Sequence, residues 1–241
     1  MSGHSKWSTI KRQKAVTDSR RSAVFTKLGR LITVAARAGG GDPAMNFRLR
    51  LAIDTAKSAN VPNENIARAI KAGTGTGKEG LSKELTYEGF GPGGVAVIVN
   101  AVTDNANRTA AEIRSLFNQH GGSLGGQNSV AWMFQLRGVL RLPTDQLTAD
   151  RRQILALTAI DAGAEDVRDE DDRVVIVTSP ESLPGLQSAL ATMKLSSLEA
   201  VVELVPTTTA TVPEESVGQL HQLFEALEEL PDVTSIASNE T

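Results

Sequence analysis

Residues 85–119 read LTYEGFGPGGVAVIVNAVTDNANRTAAEIRSLFNQ. Leu85 to Phe90 and Val95 to Val102 have the character of strands, and the turn Gly91-Pro92-Gly93-Gly94 joins them. Ala106 to Gln119 follows as a helix. Strand, turn, strand, helix is the opening of a sheet covered by helices, and the rest of the chain continues in that grammar.

Downstream, strands are expected at Ser129 to Phe134, Val139 to Leu142, Val174 to Thr178, Glu199 to Val205 and Val233 to Ala237. Helices are expected near Ala149 to Ala162, Leu183 to Met193 and Pro213 to Glu229. Residues from about 136 to 200 can therefore make one complete βαββαβ unit. The ββαβ piece before it and the αβ piece after it can close a second sheet-plus-helix layer. The expected fold class is α+β: an N-terminal three-helix bundle followed by two small ferredoxin-like α+β domains. Residues 1–78 form the basic helical domain with its N-terminal arm. Residues 79–135 plus 206–241 form a discontinuous α+β domain, and residues 136–205 are inserted into it.

Upstream, the grammar is helical. Val24, Leu28, Leu31, Ile32 and Ala35 recur with a 3.6-residue period, and Gly39-Gly40-Gly41 ends that helix. A second helix fits Asn46 to Ala59, with Leu49, Ala52, Ile53 and Ala56 inward. A third begins at Pro62 and runs to Lys71, with Ile66 and Ile70 inward. Gly73 to Gly77 reads as a flexible linker by composition.

At 241 residues and 40% apolar content, the chain has material for two or three packed units, with aliphatic cores because aromatics make up only 4%. Absent cysteine excludes disulfides, thiol catalysis and thiolate metal sites, and is compatible with the cytoplasmic location expected here. No apolar run reaches the length of a membrane span, so no membrane partner is expected. The net charge of −3 hides a split: residues 1–80 carry 15 Lys/Arg against 5 Asp/Glu, and residues 81–241 carry 10 against 23. One surface thus suits a polyanion and another does not. Nine basic residues and one acid in the first 40 also fit a mitochondrial transit peptide.

Motifs for chemistry fail on context. Gly73 to Lys78 lacks the first glycine and the Ser/Thr of a phosphate loop, where Ala72 and Glu79 stand. Gly121-Gly122-Ser123-Leu124-Gly125 matches a nucleophile elbow by letter, but the helix precedes the serine and the strand follows it. Those glycines suit a helix C-cap instead. His4, His120 and His221 have no metal-ligand spacing. Glu165 to Asp172, EDVRDEDD, lacks the spaced ligands of a calcium loop and reads as a solvated turn between strands. No catalytic constellation, metal site or cofactor is expected.

The basic region remains. Lys6, Lys11, Arg12, Lys14, Arg20 and Arg21 fall within sixteen residues, with Trp7 available to stack on a base. Lys27, Arg30, Arg37, Arg48 and Arg50 extend the positive character onto the bundle. These twelve residues are the candidate nucleic-acid-binding set. The alternative for them is a solvated basic arm and helix face, with Trp7 anchoring the arm.

Several short motifs in one order resemble the YebC/PmpR family. They are Gly3-His4-Ser5-Lys6-Trp7, Phe25-Thr26-Lys27, Gly39-Gly40-Gly41-Asp42-Pro43, Leu49-Arg50-Leu51-Ala52-Ile53, Tyr87 through Ala96, Thr103-Asp104-Asn105, Asn107-Arg108-Thr109 and His120 through Gly125. The resemblance runs nearly end to end and is densest over residues 3–134. It implies a three-domain, non-enzymatic regulator, and it places the opening motif in the mature domain, not in a transit peptide. Members are described as DNA-binding transcriptional regulators. The family also includes bacterial translation factors that relieve ribosome stalling at proline-rich stretches, and a mitochondrial activator of cytochrome oxidase translation. DNA and ribosomal RNA thus both stand as partners, with DNA the primary reading. The acidic domains are left for solvent, the ribosome or another protein. A protein-interaction module with incidental charge, and a hydrolase on Ser123, are the contrasting classes.

Overall fold

The computed structural model describes residues 18–75, 83–170, 172–193 and 199–241, with the backbone alone at 18–21 and 146. The chain divides into two compact units, Met1–Phe134 with Pro206–Thr241, and Gln135–Val205. The architecture is α+β, a helical N-terminal region followed by two sheet-and-helix layers.

In the first unit, α1 (Asp18–Gly39), α2 (Phe47–Ser58) and α3 (Asn63–Thr74) form the bundle. Leu28, Ile32, Ala35 and Ala36 of α1 meet Leu49, Ile53 and Ala56 of α2 and Ile66 and Ala69 of α3. Val24, expected inward, is exposed. The α1–α2 corner is built on Asn46. Its Oδ1 accepts from the Leu49 N–H and caps α2, while its Nδ2 donates to the Ala35 and Gly40 carbonyls at 2.8 and 2.9 Å.

Gly73 is not linker. It lies inside α3, where a Cβ would stand 2.4 Å from the Thr33 carbonyl oxygen and 2.8 Å from Ala36 Cβ. Glycine is there because two helix backbones come within contact of each other. In Gly73→Ala the better helix propensity is worth about 1 kcal/mol, whereas forcing backbones apart in a packed core costs about 1–3 kcal/mol. The clash is with backbone, which yields poorly, so the variant should unfold at lower denaturant concentration in a urea titration followed by circular dichroism.

The first sheet has strands β1 (Lys83–Phe90), β2 (Ala96–Thr103), β3 (Ser123–Leu124) and β8 (Val233–Ser238), in the order β3-β1-β2-β8. Gly93 and Gly94, at φ 75° and 76°, supply the left-handed backbone of the β1–β2 turn. One sheet face packs Val97, Val99 and Tyr87 against Ile113 and Phe117 of α4 (Ala106–Gln119) and Leu220, Leu223, Phe224 and Leu227 of α7 (Glu214–Glu229). Asn105 caps α4, its Oδ1 accepting from Arg108 N–H at 3.1 Å. Gly121, at φ 75°, turns the chain out of α4, and Gly122 N–H bonds the Phe117 carbonyl at 2.8 Å. Ser123 therefore follows a helix and enters a strand, the reverse of a nucleophile elbow.

The second unit carries β4 (Phe134–Pro143), α5 (Ala149–Asp161), β5 (Ala164–Asp169), β6 (Arg173–Thr178), α6 (Leu183–Ala191) and β7 (Glu199–Pro206). Its strand order β5-β6-β4-β7 is that of a ferredoxin-like βαββαβ unit. Two local expectations change here. Val139 to Leu142 belongs to the longer continuous strand β4. The acidic run is in large part a strand: Ala164–Asp169 pairs antiparallel with β6. It sits at the sheet edge, where charged side chains reach water and blunt the open backbone. The third change lies in the first unit, where Ser129 to Phe134 is not a strand but a turn with a short 3₁₀ segment at Ala131–Met133.

Candidate nucleic-acid interface

Of the twelve candidate basic-region residues, Lys6, Trp7, Lys11, Arg12 and Lys14 lie outside the described residues. Arg20 and Arg21 sit in the first turn of α1, described by backbone alone. Arg37, at the last turn of α1, and Arg48 and Arg50, in the first turn of α2, are exposed on the bundle. The Arg50 guanidinium lies over the Phe47 ring, 5.4 Å from its centroid, which fixes its direction while leaving its donors at the surface. Arg48 ion-pairs with Glu84 at the start of β1, both side chains open to solvent. Lys57, Arg68 and Lys71 are also exposed on α2 and α3. They escaped the sequence reading because they are spread one per turn rather than clustered.

Lys27 and Arg30 have another task. The Lys27 ammonium donates to the Glu228 carbonyl. Arg30 Nη1 donates to the Pro231 carbonyl at 2.7 Å, to the Val102 carbonyl at 3.3 Å and to Asp232 Oδ1 at 2.6 Å. Lys27 thus ties α1 to the last turn of α7, and Arg30 ties it to the end of the first sheet.

Asp232 is the hub of that junction. Its other oxygen accepts from Thr103 at 3.0 Å, Arg108 at 2.8 Å and Thr109 at 2.8 Å. The residue is 2% exposed. Burial alone would raise its carboxyl pKa, but the bonds from Arg108, Thr109, Arg30 and Thr103 outweigh it and hold the group well below the ordinary carboxylate range. Nothing in the sequence singled out Asp232, since Pro231-Asp232 reads as an ordinary turn.

Glu88 is another buried carboxylate, 6% exposed. It accepts backbone N–H groups from Asn128 at 2.8 Å, Val130 at 2.9 Å and Ala131 at 2.8 Å. Burial raises its pKa, yet these three donors win and the net shift is downward. They also explain why residues 129–133 turn instead of running as a strand: their amides are taken by a side chain, not a ladder. In Glu88→Gln one acceptor oxygen becomes a donor facing an N–H. Hydrogen bonds to a charged group are worth about 1.5–3 kcal/mol, so a fall in Tm of several degrees is expected by calorimetry.

The described residues of the second unit hold a different pattern. Arg141 pairs with Glu203, Arg168 with Asp166 and Arg173 with Asp172, so basic groups meet acids of the same unit. Burial raises the Glu170 pKa beside them. Among the described residues no group of three or more His, Asp or Glu side chains could hold a metal ion. No described helix is long and apolar enough to cross a membrane.

Comparison with known proteins gives a consistent result. Residues 5–76 match the family model of the TACO1/YebC protein N-terminal domain, and residues 82–240 match that of the TACO1/YebC second and third domain. A probable transcriptional regulatory protein of Moorella thermoacetica is 50% identical over 99% of this chain and 95% of its own length. One of the same description from Desulforamulus reducens is 45% identical over 99% and 98%. The crystal structure of a conserved hypothetical protein from Aquifex aeolicus superposes with a TM-score of 0.88 at 41% identity, covering 98% of this chain and 97% of that one.

Proposed function

The chain belongs to the TACO1/YebC family, and on that footing we propose that it is a non-enzymatic, cytoplasmic regulator of gene expression that grips nucleic acid, with promoter DNA as its primary target. The gripping set is the arm, Lys6, Trp7, Lys11, Arg12, Lys14, Arg20 and Arg21, together with the bundle face bearing Arg37, Arg48 and Arg50. Lys27 holds α1 on the end of α7 and Arg30 holds it on the end of the first sheet, and together they fix the direction in which that face looks.

The observation that carries this reading is the charge split, 15 basic residues against 5 acids in residues 1–80, with Arg37, Arg48 and Arg50 exposed on a packed bundle. Phosphate contacts from such a set supply affinity without choosing a sequence. The description of the relatives as probable transcriptional regulatory proteins agrees with a nucleic-acid target. The acidic 81–241 region would be repelled by phosphate, and it is left for solvent, a protein or the rim of the site.

A second reading uses the same surface on ribosomal RNA, as a translation factor. It is favoured by the arm's composition, in which one tryptophan stands among cations, and by the N-terminal helices, which carry no clear Asn/Gln/Arg recognition cluster. Ultraviolet crosslinking of the tagged full chain in cells, with attached DNA and RNA both sequenced, separates the two. Promoter DNA enriched over a Lys11/Arg12/Lys14→Ala control supports the transcriptional reading, and enriched ribosomal RNA replaces it with the translational one.

A further inference from the structure

We propose that the outward face of α5, with the groove between α5 and β5, is a docking surface for a basic amphipathic helix of another protein; this stands independently of the nucleic-acid reading above.

The α5 helix is apolar on two sides. Leu155 and Ala159 are buried in the second unit. Ile154, Leu157 and Ile160 are 55–59% exposed. Their spacing of three residues sets them side by side along the outward face, over about 9 Å of helix axis. Three of the seven large apolar side chains exposed among the described residues thus lie on this one helix, so they form a patch and are not scattered singly. A helix that is apolar on both faces is one built to be covered on both.

The patch continues into a groove. Ala156 and Ile160 of α5 line it with Val167 of β5 and Val174 of β6, around a volume of about 390 Å³. Its rim is charged, with Glu165, Asp166 and Asp169 on β5 and Arg152 on α5. Glu165 pairs with Arg137 at 3.3 Å, Asp169 with Arg152 at 3.5 Å, and Asp166 with Arg168. Pairs so open to water are weak, and an incoming cation competes with them readily. Two more acids stand on the outward face itself, Asp150 four residues before Ile154 and Asp161 four residues after Leu157. Neither has an ion pair among the described residues. Asp161 falls in the last turn of α5, which holds no basic residue and where the helix end is already negative. An acid there works against its own helix, and a cation from outside relieves it.

The charge chooses the occupant. Residues 149–172 carry 8 Asp/Glu against 3 Lys/Arg. A second copy of the chain docked patch to patch would bring these acids against the same acids. Nucleic acid and an anionic membrane are repelled by them too. A protein helix whose apolar stripe is flanked by Lys and Arg fits both parts, with its stripe on Ile154, Leu157 and Ile160 and its cations on Asp150, Asp161 and the β5 acids. An added strand fits less well, because the β5 ladder is irregular between Ala164 and Asp166 and its edge is lined with charge.

The test is fluorescence anisotropy of a labelled helical peptide of about eighteen residues, with leucine at i, i+3, i+4 and i+7 positions and lysine elsewhere, titrated with the full chain. A twin peptide with glutamate in place of lysine is the control. Expected are binding of the lysine peptide that weakens with salt, no binding of the glutamate peptide, and a loss of about tenfold or more in Ile154→Gln/Leu157→Gln/Ile160→Gln. Asp150→Asn/Asp161→Asn should flatten the salt dependence. The triple variant should keep the circular dichroism and the nucleic-acid affinity of the parent, and if it does not stay folded, Leu157→Gln alone carries the same comparison. Equal binding of the lysine peptide by the parent and the folded glutamine variant reduces the contact to bulk charge and overturns the proposal. Absence of binding at low salt, or equal binding of the two peptides, overturns it as well. A parent dimer in sedimentation that becomes a monomer in Leu157→Gln replaces the partner helix with a second copy of the chain.

Discussion

Asp232→Ala is expected to lower the stability of the first unit by about 3 kcal/mol. Truncating one side of a buried, hydrogen-bonded ion pair costs about 3–5 kcal/mol, and the lower end applies because Arg30 keeps a third of its side chain in water. Removing the carboxylate strips an acceptor from Arg30, Arg108, Thr103 and Thr109 at once, and the buried Thr109 hydroxyl keeps only its neighbours Thr103 and Asn105. For a folding unit of this size about 3 kcal/mol corresponds to roughly 6–12 °C in Tm. Calorimetry of parent and variant checks it. An unchanged Tm would mean that the bundle does not depend on this junction.

The same group gives that difference a pH dependence. Asp232 is ionised more readily in the folded chain than in the unfolded one. Its contribution is therefore complete above the unfolded carboxylate pKa, about 3.9, and drains away as pH falls below that value toward the depressed folded one. The stability gap between parent and Asp232→Ala should be flat from neutral pH to about pH 5 and should narrow below about pH 4. A gap that widened on acidification would contradict the assignment of Asp232 as the charged hub.

Neutralising Lys11, Arg12 and Lys14 together is expected to weaken nucleic-acid binding by on the order of a hundredfold at 0.1 M salt. Each phosphate contact releases about 0.7–0.9 of a counterion, and three contacts at that salt concentration multiply to this factor. Tm should not move, because none of the three belongs to the periodic apolar pattern that builds the bundle. A weaker variant with an unchanged Tm separates binding from folding, and unchanged affinity would move the site off the arm.

The elements that were legible in the sequence are those whose local chemistry agrees with their place in the fold. The α4 helix could be read to its ends because Asn105 caps it and Gly121-Gly122 terminate it. The buried run of β6 is apolar on both faces and could only be a covered strand. Where tertiary partners decide, the sequence misleads. Gly73 resembles linker because glycine composition is identical in a loop and at a helix crossing. Ser129 to Phe134 has strand character, and only Glu88, some forty residues earlier, turns it. The β5 strand is hidden by its charge, which an edge position allows.

The candidate interface divides in the same way. A run of Lys and Arg is visible as a count, and so the arm and the bundle face could be proposed at once. What each cation touches is not visible: the partners of Arg30, which are Val102, Pro231 and Asp232, stand some seventy to two hundred residues away in the chain.

The most direct measurement is the affinity of the full chain for nucleic acid as a function of salt, using duplex DNA and single-stranded RNA in parallel. The account predicts a linear fall of log affinity with log salt for at least one of them, with a slope reduced by about 2–3 in Lys11/Arg12/Lys14→Ala. Binding that is absent at low salt, or that does not change with salt, would contradict a nucleic-acid grip by the basic region.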